Sequence, residues 1–548
     1  MTKKQMFRFT FACVLMGLMS ACYQKYPQKS ADTAPPPPPP PPVESTALEM
    51  EEDLAFEVPS NEPKEETAPF DTEAYDHIVE NDFKNALREP LSTLSIDVDY
   101  AAYSNVRRFL NNDQLPPAGA VRLEEMINYF DYDYPEPKGE APCEVITEMA
   151  PSPWNSNNRL LHIGLQARSM PQENLPPANL VFLLDVSGSM DAPNKLPLLK
   201  DAFRLLIDQL RPADRVAIVV YAGAAGLVLP STPGSNRQKI RMALEALQAG
   251  GSTAGAQGIQ QAYQVARNHF ISQGNNRVIL ATDGDFNVGM SSDDALVRLI
   301  EEERKSGIFL SVFGFGTGNY KDNKMEKLAN NGNGHYAYID KLSEAKKVLV
   351  NEFSSSLYTV AKDVKLQLEF NPAQVAAYRL IGYENRLLNH EDFNNDAKDA
   401  GDMGAGHSVT VLYEIIPTTN AQHLSDGIDP LKYQEAFIDQ KALHTDEWAT
   451  LKMRYKPIQS DQSKKLVWGV VDTGQGLEQS SNNFRFSAAV AGFGMNLRQS
   501  KYRGDYTYDQ LKTLAESAKG ADLNGYRAEM IQLLQKAKRL SQGLTARK

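Results

Sequence analysis

The run Leu180-Val-Phe-Leu-Leu-Asp-Val-Ser-Gly-Ser-Met190 decides the fold. From Leu180 to Leu184 every side chain is apolar, so neither face is left for water, as a strand buried in a parallel sheet requires. The run stops at Asp185 and turns through Gly188, whose missing Cβ lets the chain close tightly. Asp185, Ser187 and Ser189 thereby offer oxygens from one turn. In an open parallel sheet ligands bind beyond the carboxyl ends of the strands, which is where this turn falls. Carboxylate and hydroxyl oxygens are hard donors of the kind Mg2+ takes, with water completing an octahedron. A plainer reading of the pentapeptide is a helix cap, because Asp and Ser favour N-termini.

Working outward, β and α patterns alternate from Asn179 to Tyr358, which predicts an α/β, doubly wound, mostly parallel sheet with helices on both faces. Strands are expected at Asn179–Leu184, Val216–Tyr221, Arg277–Ala281 and Ile308–Phe313, with Leu227–Leu229 as a short edge. Helices are expected at Leu196–Leu210, Arg237–Leu247, Ala256–Phe270, Asp293–Lys305, Lys324–Asn330 and Ser343–Tyr358. Two more loops then reach the same sheet edge. Gly250-Gly-Ser-Thr-Ala-Gly255 precedes a helix and carries the Thr253 hydroxyl, while Ala281-Thr-Asp-Gly-Asp285 ends a strand and carries Asp283.

Taken together the three loops resemble the metal-ion-dependent adhesion site of von Willebrand factor A domains. The resemblance assigns metal-binding roles to Asp185, Ser187, Ser189, Thr253 and Asp283, with Mg2+ or Mn2+ as the cation and some aspartates acting through water. It implies an electrophilic metal with an open position for a partner's glutamate or aspartate, and in many members a shift of the last helix, here Ser343–Tyr358. Flanking motifs extend the likeness. Ser95-Ile-Asp-Val-Asp99, Glu124-Glu-Met-Ile-Asn-Tyr-Phe130, Gly382-Tyr-Glu-Asn-Arg386, Gly404-Ala-Gly-His407 and Gly525-Tyr-Arg-Ala-Glu529 are similar to bacterial YfbK-type von Willebrand A lipoproteins, from Pro90 to the C-terminus.

The N-terminus reads as an address. Lys3, Lys4 and Arg8 precede the apolar run Phe9–Met19, which is too short to span a bilayer and is the pattern of a signal peptide, residues 1–21. Leu18-Met-Ser-Ala-Cys22 resembles a bacterial lipobox, which implies a diacylglycerol on Cys22, and Tyr23 is not the aspartate of inner-membrane retention. The expected location is therefore the cell envelope, lipid-anchored, at the outer membrane. Eight consecutive prolines, Pro35–Pro42, favour a stiff polyproline II spacer. The following acidic stretch is poor in aromatics, so residues 22–89 are expected as a disordered linker.

Further segments are expected at 90–175 (short helices, then strands), 359–480 (β-rich) and 481–548 (helical), around the 176–358 domain. The strands before and after that domain could form one sandwich into which it is inserted. At 548 residues the chain exceeds one core. A formal charge of −12 argues against a nucleic-acid partner. With Cys13 and Cys22 in the leader and anchor, Cys143 has no intrachain partner.

Other signals are weaker. Asp97-Val-Asp99 lacks the later elements of a phosphatase nucleophile motif, Asp392-Phe-Asn-Asn-Asp396 lacks the glycine of an EF-hand loop, and His407 reads as a loop hydrogen-bonder. The expected function is a metal-dependent binding module and not an enzyme. A hydrolase using Asp285 as base, or a scaffold with a stabilising metal, are the alternatives.

Overall fold

In the computed structural model the described residues are 73–545, except 223, 252–254, 285–292, 319, 353–357, 424–432 and 434–436. The expected signal peptide, Cys22 and the proline tract lie outside them.

The strands, in chain order, begin with β1 (Lys84–Asn85), β2 (Leu91–Ser95), β3 (Cys143–Ser152) and β4 (Asn155–Ala167). The central group is β5 (Ala178–Asp185), β6 (Arg215–Ala222), β7 (Ala224–Pro233), β8 (Asn275–Thr282), β9 (Ile308–Phe315) and β10 (Tyr336–Ile339). The last are β11 (Thr359–Phe370), β12 (Val375–Ile381), β13 (Met403–Gly404), β14 (Ser408–Pro417), β15 (Glu447–Lys456) and β16 (Lys464–Val471).

The central six form one sheet in the order β10-β9-β8-β5-β6-β7, parallel except for β7. Every residue of β5 and of β8 is buried, as strands covered on both faces demand. Helix Leu196–Gln209 packs Leu199, Phe203 and Leu206 against Phe182 and Ile218 on one face. On the other, Ile259, Tyr263 and Ala266 of helix Gly255–Asn268 meet Leu183, Val219 and Leu280. Each Leu, Ile, Val or Phe among them contributes about 1.5–3 kcal/mol when removed from water.

Two further sheets are built jointly by chain from before and after this unit. One runs β1-β12-β14-β4-β3; in the other β11 pairs with β2, β13 and β15, and β15 with β16. They share a core of Leu161, Ile163, Leu366, Leu368, Val411, Tyr413 and Met453. Strand pairing thus weaves segments 90–175 and 359–480 into one sandwich, which the α/β unit interrupts in sequence. A third layer joins helices Ala101–Asn111 and Leu123–Asn128 to the C-terminal helices Asn482–Arg498, Tyr508–Ser517 and Tyr526–Thr545. Asn482–Arg498 is buried almost all round, which its sequence Phe484-Arg-Phe-Ser-Ala-Ala-Val-Ala-Gly-Phe493 permits.

Order begins earlier than Pro90. Glu73 pairs with Arg108 at 2.7 Å, the Phe83 and Tyr502 rings meet edge-on at 5.6 Å, and β1 pairs with β12. Acidic composition suggested a linker through residue 89, but Tyr75, Phe83 and Ala86 supply anchors that an average over the segment conceals. The last helix of the α/β unit changes type along its length. Leu342–Lys346 is α-helical and Lys347–Asn351 continues as a π turn, while residues 353–357 lie outside the described set.

Cys143 is buried and free, its sulfur beside that of Met453 at 3.4 Å. Burial pushes its thiol up to about 12, so almost no thiolate exists at pH 8. Iodoacetamide at pH 8 should leave Cys143 unmodified in the native protein and label it in urea, as read by peptide mass mapping; native labelling would contradict this packing.

Candidate metal centre

Strands β5 and β8 are parallel neighbours with Leu184 opposite Ala281, so Asp185 and the Thr282-Asp283 pair emerge side by side at their carboxyl ends. Asp185 is fully buried and held on both oxygens. Its Oδ1 accepts the Ser187 N–H at 2.9 Å, and its Oδ2 accepts the hydroxyls of Tyr221 and Thr282, each at 3.1 Å. Burial, with the negative Asp283 as a lesser cause, raises its carboxyl to about 6. A buried carboxylate held against that cost gains from a nearby cation.

Ser187 Oγ and Ser189 Oγ lie 3.0 Å apart on the turn that follows. This spacing provides a test of fit. Octahedral Mg2+ holds oxygens at 2.0–2.1 Å, which places adjacent ligands about 3 Å from one another. The two hydroxyls hydrogen-bond to each other at a separation that also matches one edge of such an octahedron, so the donor set is compatible with the ion.

The second loop is stapled to the first. Gly188 N–H donates to Gly251 C=O at 3.1 Å, and Gly250 N–H to Val186 C=O at 2.8 Å. Thr253 itself lies outside the described residues, as does Asp285. The structure therefore brings together four of the expected site residues, Asp185, Ser187, Ser189 and Asp283, and describes the anchor of the loop that bears the fifth.

Asp283, also fully buried, accepts from Lys195 Nζ at 2.8 Å. Sequence reasoning missed Lys195, which stands just before a helix and reads there as an ordinary surface lysine. Its stem runs across Gly316, where a Cβ would come within 2.4 Å of Lys195 Cε; Gly316 adopts φ +77. Tyr221 and Thr282 were missed too: Tyr221 reads as the end of a core strand, and Thr282 as a spacer in the loop that carries Asp283.

Gly284 directly follows Asp283 with φ +98, and a Cβ there would lie 2.7 Å from Lys321 N and 2.9 Å from Tyr320 Cα. Backbone atoms cannot yield cheaply, and the left-handed conformation strains any L side chain. Gly284→Ala should cost roughly 1–3 kcal/mol and weaken cation binding by shifting Asp283. Thermal melts and calorimetric Mg2+ titration check both; an unchanged affinity would disconnect this turn from the site.

Away from this edge, the carboxylates of Asp99, Glu125 and Glu326 converge within 4.8 Å. Arg122 bonds Glu125 and Asp322, and Arg386 reaches Asp99 at 3.0 Å, so the group is an interleaved ion network. In the Asp392–Asp396 run, Asp392 caps its own turn and Asp396 is engaged by Arg454 and Ser463. His407 is half-buried and bonds the Tyr100 hydroxyl, and desolvation pushes its imidazole down to about 4.

Comparison with known proteins agrees with this architecture. The von Willebrand factor type A domain family matches residues 179–351, a von Willebrand factor family matches 69–162, and the family described as the C-terminal part of uncharacterized protein YfbK matches 355–540. The uncharacterized protein YfbK of Escherichia coli K12 is 45% identical over 85% of this chain and 81% of its own length.

The chain belongs to the YfbK family.

More distant similarity reaches an uncharacterized protein of Synechocystis, 28% identical over 40% of this chain and 50% of the relative. Among solved structures, a von Willebrand factor type A protein from Catenulispora acidiphila is 15% identical, covering 72% of this chain and 89% of its own, with a TM-score of 0.38. The conserved hypothetical protein BatB from Bacteroides thetaiotaomicron is 23% identical over 32% of this chain and 97% of its own, with a TM-score of 0.28. The family match gives this chain a von Willebrand factor type A unit over residues 179–351, a domain type associated with protein–protein interaction or adhesion. The Escherichia coli and Synechocystis relatives are both described as uncharacterized.

Proposed function

We propose that this YfbK-family chain is a metal-ion-dependent binding protein of the bacterial cell envelope. Asp185, Ser187, Ser189, Thr253 and Asp283 would hold Mg2+ or Mn2+, directly or through water. Bound there, the ion supplies an electrophilic position that a partner's glutamate or aspartate can fill. The observation that carries this reading is the hydroxyl pair at 3.0 Å beside two fully buried carboxylates, one of them paired with Lys195.

Charge favours an acidic partner. Asp185 and Asp283 are offset by one ammonium, so a divalent ion would leave the centre with net positive charge, in a site where burial amplifies it. The tether belongs to the same proposal. Acylation of Cys22 would fix the chain to the outer membrane, and the proline tract would hold the folded part off its surface.

The test is crosslinking in intact cells, comparing wild type with Ser187→Ala, with and without a membrane-permeant chelator. Crosslinks to a partner should vanish in the variant and in the chelated cells. Crosslinks indifferent to both would leave a scaffold with no metal-dependent engagement.

A further inference from the structure

At the opposite end of β8 from Asp283, a cavity of about 270 Å3 opens between the α/β unit and the sandwich. Arg277 and Asp283 are separated by six residues of strand, roughly 20 Å, so this cavity is distinct from the metal loops. Its walls are oppositely charged. From the α/β side comes Arg277, only 4% exposed, lying over the Phe309 ring and donating to Ser311 Oγ at 2.7 Å. Its Nε has no hydrogen-bond partner, and among the described residues no carboxylate lies within ion-pairing distance of it. Every other buried arginine of the interdomain region, Arg107, Arg122 and Arg379 included, is paired with an acid.

From the sandwich side come Asp402, Asp399 and Asp97. Asp399 is taken by Arg304 at 2.8 Å and Asp97 faces Arg386 at 3.8 Å. Asp402 accepts one backbone bond, from Asp363 N–H at 3.0 Å, and is left with an oxygen to offer. Beyond ion-pairing distance, the Asp402 carboxylate still acts electrostatically on Arg277, and both groups line the same space. The space equals about nine waters at 30 Å3 each, which is enough for a small organic molecule. Burial lowers the Arg277 guanidinium to about 10, and burial plus the neighbouring aspartates raises Asp402 to about 6; each group would be relieved by an opposite charge beside it.

We propose that this cavity binds a small zwitterion of the amino-acid class, its carboxylate on Arg277 and its ammonium toward Asp402. The fork of a guanidinium suits a carboxylate's two oxygens, and interdomain clefts with a few convergent polar groups are common ligand sites. A simple anion meets Asp402 unfavourably, and a simple cation meets Arg277. Only a ligand carrying both charges satisfies the two walls at once.

The experiment is calorimetric titration of the whole chain, in EDTA so that the metal loops stay silent. The probes are amino acids of increasing side-chain size, with propionate and ethylamine as single-charge controls. At least one amino acid should bind about tenfold or more tightly than either control. Arg277→Gln, which can still donate to Ser311, should weaken it roughly ten- to a hundredfold. Asp402→Asn, which keeps an oxygen for Asp363 N–H, should weaken the amino acid but not propionate; melting curves verify that both variants fold. No heat from any probe would make the cavity a water-filled gap. Propionate binding as tightly as every amino acid would also overturn the proposal, since Asp402 would then have no part in recognition.

Discussion

Asp185→Asn is expected to reduce Mg2+ and Mn2+ affinity by at least about a hundredfold, because losing even an outer partner of a metal ligand costs ten- to a hundredfold. The substitution keeps the shape of a side chain bonded to Ser187 N–H and to the Tyr221 and Thr282 hydroxyls. Both hydroxyls can rotate to accept from the new amide, so the turn should survive. What is lost is one buried negative charge, and burial already holds that charge at a cost. The variant should therefore melt at or above the wild-type temperature in EDTA. In Mg2+ the order should reverse. Wild type gains RT ln(1 + [L]/Kd), about 2.7 kcal/mol at a hundred times Kd, while the variant gains almost nothing. Calorimetry with paired melts reads both halves, and equal heats for the two proteins would remove Asp185 from the site.

The largest structural effect should come from Arg107→Met. Arg107, on helix Ala101–Asn111, is 1% exposed and donates to Asp340, to Glu344 at 2.7 Å, to Glu529 at 3.1 Å and to the Tyr129 hydroxyl at 3.0 Å. Asp340 and Glu344 bracket the start of the α/β unit's last helix, and Glu529 belongs to the C-terminal helix. One guanidinium thus ties three distant segments. Its removal leaves buried carboxylates uncompensated, a loss of about 3–5 kcal/mol. Arg204→Ala is the control. Its pairs with Asp201 and Glu245 are solvent-exposed, and such pairs contribute about 0–1 kcal/mol. Urea unfolding compares the two, and similar losses would show that the Arg107 network is worth no more than a surface pair.

Two of the three candidate metal loops were legible because their oxygens follow apolar strands directly, and a strand-end loop in a parallel sheet has a known address. Lys195 was not, since nothing local distinguishes a lysine that turns inward across Gly316 from one that points to water. β12 has no clear local signature for a related reason. Arg379 interrupts its apolar pattern, and only the facing Glu414 at 2.8 Å makes that charge tolerable inside. β10 is four residues long and offers too few positions for a period to emerge.

Local sequence alone determined five of the six central strands, most of the helices that cover them, and the arrival of Asp185, Ser187, Ser189 and Asp283 at one edge, because periodicity and turn chemistry act over a few residues. Tertiary structure alone decided that β2 pairs with β11 across the whole inserted unit, that Arg107 and Arg379 find their acids, and that Arg277 has no acid within ion-pairing distance among the described residues. Those outcomes depend on groups hundreds of residues apart meeting in a low-dielectric interior, where a charge is stabilised or left wanting by partners that no nearby stretch of chain encodes.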